Sequence, residues 1–126
     1  MTAVAVALGG ALGALTRWWV SESLQGGAPD LRFPWGTFTV NLLGALLLGL
    51  LYGVLQHVEV SAGARAFMTV GVLGAFTTFS TFSFEAVAMA HGGALARAAL
   101  YLGTSVLAGV LLAWLGFQAG QSIAAP

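Results

Sequence analysis

The sequence predicts an all-α integral membrane protein with four transmembrane helices, and three observations carry that expectation. The chain is 59% hydrophobic and only 6% charged, against roughly 25% charged in soluble domains. Lysine is absent, and the charges Arg17, Glu22, Asp30, Arg32, Glu59, Arg65, Glu85 and Arg97 punctuate the chain rather than coat a surface. Between them lie uncharged runs at 1–16, 33–58, 66–84 and 98–126. A bilayer core about 30 Å thick asks for about 20 apolar residues per helix, and somewhat shorter runs still serve. Zero net charge gives no reason to expect a nucleic-acid partner. The absence of cysteine excludes disulfides and thiolate metal sites.

The elements follow in order within a single domain, residues 1–126. The first span covers about 2–20. Its apolar start lacks the positive segment of a secretory signal, and Arg17 follows the apolar run instead of preceding it. From Ser21 to Trp35 the breakers Gly26, Gly27, Pro29, Asp30 and Pro34 predict a loop. A second span is expected at about 36–55, then a polar stretch to Arg65. A third span is expected at about 66–90, a tight connection at Gly92-Gly93, and a fourth span at about 95–117. Trp18, Trp19, Trp35 and Trp114 all fall near span ends, where amphipathic rings prefer to sit.

The third span is unusual. Gly71, Gly74 and the hydroxyls of Thr77, Thr78, Ser80, Thr81 and Ser83 crowd one stretch. From an entry near Ala66, about ten residues at about 1.5 Å each reach the midplane at Phe76-Thr77. The glycine and the Thr-Thr pair there predict a helix broken near the bilayer midplane. Unwound backbone is tolerated at that depth only when buried in protein or lining a wet cavity. Its freed carbonyls and amides then make ion sites. A continuous helix whose hydroxyls bond back to i−4 carbonyls is the alternative.

Other polar groups are expected to converge on this segment. Thr37 and Asn41 lie at i, i+4 on the second span, and Tyr101, Thr104 and Ser105 share a face of the fourth. Glu85 is the acid inside a span, with Arg17 as a possible counter-charge. Intramembrane ionisable groups are functional candidates by default. Phe79 and Phe82, at i, i+3, share a helix face, and aromatic rings have positive edges that favour an anion. Gly9/Gly13 and Gly49/Gly53 have the i, i+4 spacing that lets helices approach closely.

Arg65 lies on one side of the membrane with the termini, and Arg32 and Arg97 on the other. That near balance of arginine fits a chain inserted both ways round. Four short helices also leave little interior once side chains pack, so a pore within one subunit is not expected. An antiparallel homodimer is.

Three blocks carry a family resemblance: Gly10-Ala11-Leu12-Gly13-Ala14-Leu15-Thr16-Arg17, Gly36-Thr37-Phe38-Thr39-Val40-Asn41-Leu42-Leu43-Gly44, and Gly74 through Glu85. Their order, and the span number along the whole chain, resemble the Fluc (CrcB) fluoride channels. The resemblance implies passive, selective fluoride export from the cell through the inner (plasma) membrane, by an antiparallel dimer with two pores. It assigns a fluoride path to Asn41, Phe79, Phe82, Tyr101 and Ser105, with Thr78, Ser80, Thr81, Glu85 and the vestibule residue Arg17. It also implies a structural sodium ion (Na+) at the dimer interface, held by the backbone carbonyls of Gly74 and Thr77.

The competing expectation is a small multidrug-type proton-coupled transporter, which needs a titratable carboxylate in its cavity, typically on the first span. Residues 1–16 hold none. An enzyme is not expected, since no nucleophile–base set or His/Glu metal pair is apparent.

Overall fold

A computed structural model describes residues 2–25 and 33–125. The expected breakers Gly26, Gly27, Pro29 and Asp30, together with Arg32, lie outside the described residues. Those described form helices and short connections, with no strand among them. They are α1 (Thr2–Gln25), α2 (Trp35–Val54), α3 (Ala62–Ala66), a π-helical stretch Phe67–Leu73, α4 (Gly74–Phe76), α5 (Phe79–His91) and α6 (Leu95–Ala124). Four helical segments are long and apolar enough to cross a membrane, at Thr2–Gln25, Trp35–Val54, Ala62–His91 and Leu95–Ala124. The chain is a multi-pass membrane protein.

Several boundaries reach beyond the apolar runs. Helix α1 continues past Val20 through Ser21–Gln25, because nothing before Gly26 breaks a helix and polar residues need not leave one at the membrane edge. The Ser23 hydroxyl donates to the Trp19 carbonyl at 2.7 Å. The third segment starts earlier, at Ala62, because Ser61 caps it by accepting the Ala64 amide at 3.2 Å. Helix α6 runs on to Ala124, and Gly120 within that extension packs on the α2 backbone at Leu50 and Val54.

Glycine sets the packing. A Cβ at Gly9 would press on Phe67 and Gly71, and one at Gly13 on Val72 and Phe76. Contact partners therefore rise together, and α1 runs parallel to the third segment. Gly49 lies on Ala113, Gly53 on Phe117 and Gly120, and Gly116 on Leu46 and Leu50, so α2 and α6 are likewise parallel. Both pairs are backbone-on-backbone contacts, the close approach that small residues permit between membrane helices. Helices α5 and α6 form a hairpin instead. Its turn closes with the Gly93 N–H donating to the Ala90 carbonyl at 3.1 Å and the Ala94 N–H to Met89 at 2.9 Å. Gly93 has φ +81°, a left-handed conformation that favours glycine.

The hairpin buries a small core of Phe82, Ala86, Met89, Ala98 and Tyr101, with Phe33 and Phe38 against it. Elsewhere large apolar side chains face outward, among them Val4, Leu8, Leu107 and Val110. On a membrane protein that is the surface offered to lipid or to another helix.

Candidate functional site

The site is built around the link between α4 and α5. Thr77 has ψ 158° and Thr78 has φ −147° and ψ 119°, so both are extended. The Thr78 hydroxyl caps α5 by accepting the Thr81 amide at 3.4 Å, the ordinary use of threonine at a helix start. Asn41 then grips the link from α2. Its Oδ1 accepts the Thr78 N–H at 2.8 Å, and its Nδ2 donates to the Thr78 carbonyl at 3.1 Å. A single amide thus satisfies both backbone groups of one extended residue, as buried backbone requires.

These diversions release two carbonyls. In a continuous helix the Thr78 N–H would bond the Gly74 carbonyl and the Thr81 N–H the Thr77 carbonyl. The first instead serves Asn41 and the second the Thr78 hydroxyl. The donor set so presented is neutral oxygen with no carboxylate, and it fits a hard, singly charged cation.

A second polar cluster centres on Glu85. The Thr37 hydroxyl donates to Oε1 and the Tyr101 hydroxyl to Oε2, each at 2.7 Å. The partners of this carboxylate are therefore hydroxyls from α2 and α6. Arg17 stands on the wall of the same cleft, a space of about 330 Å³ that Thr37, Thr78, Thr81 and Glu85 also line.

Hydroxyls continue from the cleft along α5. Thr78 Oγ1 donates to Thr81 Oγ1 at 3.0 Å and lies 3.5 Å from Ser80 Oγ. Ser80 and Thr81 are both exposed, Thr81 toward the cleft.

The aromatic residues divide. Phe79 is 80% exposed and Phe82 only 7%. Their ring centroids are 5.9 Å apart, and Phe82 meets Tyr101 at 5.0 Å with the planes at 60°. Tyr101 is wholly buried, with Phe33 edge-on at 5.3 Å and Phe38 at 6.5 Å. Ser105 Oγ, one turn further along α6, is buried without a hydrogen-bond partner among the described residues. Thr104 turns back on its own helix, donating to the Leu100 carbonyl at 2.7 Å.

The structure therefore brings Arg17, Thr78, Thr81 and Glu85 to one cleft. Asn41 stands behind Thr78, and Tyr101 behind Glu85. Phe79 and Ser80 lie on an outer face, and Ser105 lies apart along α6. Thr37 is a member that the sequence reading placed beside Asn41 without giving it a part in the path. Its i, i+4 spacing from Asn41 was the signal, since residues four apart on a helix face the same neighbours.

A four-span helical protein with an amide- and hydroxyl-lined cleft inside its membrane segments belongs among membrane transport proteins. Residues 4–117 match the family model described as "CrcB-like protein, Camphor Resistance (CrcB)", and the chain belongs to that family. It is 44% identical to a protein of Acidobacterium capsulatum, covering 95% of this chain and 96% of the relative. It is 46% identical to one of Thermus thermophilus, covering 94% and 92%. It is 43% identical to one of Novosphingobium aromaticivorans, covering 98% and 100%. Each of those relatives is named "Fluoride-specific ion channel FluC".

Proposed function

We propose that this chain is a fluoride-selective channel that lets fluoride leave the cell passively down its electrochemical gradient, across the inner (plasma) membrane. The observation that carries the proposal is the cleft leading from the Arg17 wall to the hydroxyls of Thr78 and Thr81, in a chain whose relatives carry the fluoride-channel name. Fluoride is small and strongly hydrated, so a path must replace lost water with hydrogen-bond donors, because an uncompensated desolvated charge is very costly. Amide and hydroxyl groups supply such donors. Asn41 Nδ2 carries a second hydrogen beyond the one given to Thr78. Ser80, Thr81 and Ser105 bring hydroxyls, those of Thr78 and Tyr101 reaching an ion only by turning from Thr81 Oγ1 and Glu85 Oε2, and Ser105 Oγ is buried without a partner among the described residues. The ring edges of Phe79 and Phe82 add weak positive charge and bulk that disfavour larger halides.

Two finer features belong to the same reading. The third span is broken near the bilayer midplane: Thr77 and Thr78 fall at the middle of the 30-residue segment Ala62–His91, about 20 Å of helix from either end. The functional unit is an antiparallel homodimer. Ser80 is exposed at that depth, where lipid offers no hydrogen bond, and polar groups inside a bilayer face protein or a wet cavity. The Gly74 and Thr77 carbonyls are the residues that would hold a structural sodium at the dimer centre, where it would supply fixed positive charge. The residues' own part is to present oxygen free of helical partners.

Purified protein in liposomes loaded with fluoride tests the function. Fluoride efflux without chloride efflux is expected, and a protein passing neither anion, or both alike, overturns it. Single cysteines at either terminus, labelled from outside intact cells, are expected to react in only part of the population. Complete or absent labelling would refute the antiparallel arrangement.

A further inference from the structure

Helix α1 contributes more to the cleft than Arg17. Arg17, Ser21 and Gln25 follow at i, i+4 and i+8, and all three line it. Four residues of helix rise about 6 Å, so these side chains form one stripe with a polar group at each turn. The stripe reaches from Arg17 to the end of α1.

The amide of Gln25 has a determined orientation. Its Oε1 accepts the Gly36 N–H at 3.3 Å, and an amide whose oxygen is committed keeps its two N–H donors on the opposite nitrogen. Gly36 is held in place from behind, since a Cβ there would come within 2.7 Å of the Ser21 carbonyl oxygen. The bond to Gly36 therefore does two things: it ties the start of α2 to the end of α1, and it settles which end of Gln25 is the donor. Guanidinium, hydroxyl and amide nitrogen follow one another along the wall. Glu22 and Glu85 border the same space and oppose an anion, so donors on this wall are what would offset them.

We propose that Gln25 is an anion-binding residue at the cleft mouth, the outermost member of a donor stripe that passes fluoride along Ser21 to Arg17. The proposal rests on the channel reading above and adds a binding residue to it.

Two substitutions separate binding from tethering. Gln25→Glu keeps an oxygen for the Gly36 amide but gives up both N–H donors, whereas Gln25→Met loses both ends at similar size. Each purified variant is first checked for wild-type elution in detergent, then reconstituted. Fluoride efflux is measured across a range of fluoride concentrations in about 1 M potassium isethionate, where the screening length is about 3 Å. That salt weakens the added charge of Gln25→Glu, and the neutral Gln25→Met variant reports the lost donors without it. Gln25→Glu is expected to raise the half-saturating fluoride concentration roughly threefold to tenfold, the net scale of one ordinary hydrogen bond in a wet site. Gln25→Met should raise it at least threefold. A wild-type half-saturating concentration for Gln25→Glu overturns the proposal, and a defect in Gln25→Met alone would assign the residue to tethering and overturn it equally. If the wild-type chain itself passed no fluoride, the channel reading would fall and the stripe with it. A conducting wild type with an unaffected Gln25→Glu variant overturns the stripe alone.

Discussion

Replacing Asn41 by leucine removes the side chain that holds the extended link between α4 and α5, and the cost can be worked from its two hydrogen bonds. The Thr78 N–H at 2.8 Å and the Thr78 carbonyl at 3.1 Å both lose their partner. Leaving a buried backbone group unsatisfied costs about 1–3 kcal/mol, so Asn41→Leu should destabilise the fold by roughly 2–6 kcal/mol. Asn41→Asp is a sharper probe of the same geometry. Its carboxylate still accepts from the Thr78 N–H, but a second oxygen then faces the Thr78 carbonyl where a donor stood. Protonation restores an O–H donor there, so the deficit of Asn41→Asp should shrink as pH falls, while that of Asn41→Leu should not. Reversible unfolding in detergent micelles across a pH series measures both. In liposomes Asn41→Asp should also slow fluoride strongly at neutral pH, because it puts negative charge on the proposed anion path. An Asn41→Leu variant within about 0.5 kcal/mol of wild type, below the cost of even one orphaned group, would show that the clamp does not hold the link.

Four further outcomes follow from the structure. Phe82→Ile keeps much of the volume beside Tyr101 but loses the ring edge, and should slow fluoride efflux at least tenfold, about 1.4 kcal/mol on the barrier; a wild-type rate would reduce the ring to packing. Tyr101→Phe leaves the aromatic contacts in place and takes the hydroxyl from Glu85 Oε2. It should cost about 1–3 kcal/mol of stability in the same unfolding assay and slow efflux. Gly49→Val should force α2 from α6, because its Cβ falls on the Ala113 carbonyl, at about 1–3 kcal/mol or more. In Gly63→Ala the new methyl meets nothing within 4 Å, and about 0.5–1 kcal/mol of added stability is expected from helix propensity.

Much of the architecture was legible because membrane proteins write it in composition. With few charges available, most of them mark an edge, Glu85 within the third span excepted, and uncharged stretches of the right length must be helices, since a bilayer leaves backbone groups no other partner. The glycine pairs were legible for a related reason: close helix approach demands a missing side chain, and Gly9, Gly13, Gly49 and Gly53 all meet backbone. The boundaries were less legible. Hydropathy ends where the bilayer ends, but a helix ends where a breaker or cap stops it. Hence α1 reaches Gln25 and the third segment starts behind the Ser61 cap.

Chemistry-bearing residue types could also be named from the chain, because amides, hydroxyls and acids are conspicuous in apolar surroundings. Their partners could not. That Asn41 closes on both backbone groups of Thr78, residues far apart in sequence, depends on how α2 lies against the extended link. Glu85 was open to pairing with Arg17, yet the fold delivers Thr37 and Tyr101 to its two oxygens. Phe79 and Phe82 share a spacing, but one faces outward and the other is buried against Tyr101. Nor does the apolar pattern reveal the π-helical pitch of Phe67–Leu73, because its residues would suit an ordinary helix as well. Which segments enter the membrane follows from local hydropathy and the obligation of each backbone to bond within its own helix. Which polar groups meet is settled by the packed fold, because hydrogen bonds between helices are set by the relative placement of whole segments, which no local pattern encodes.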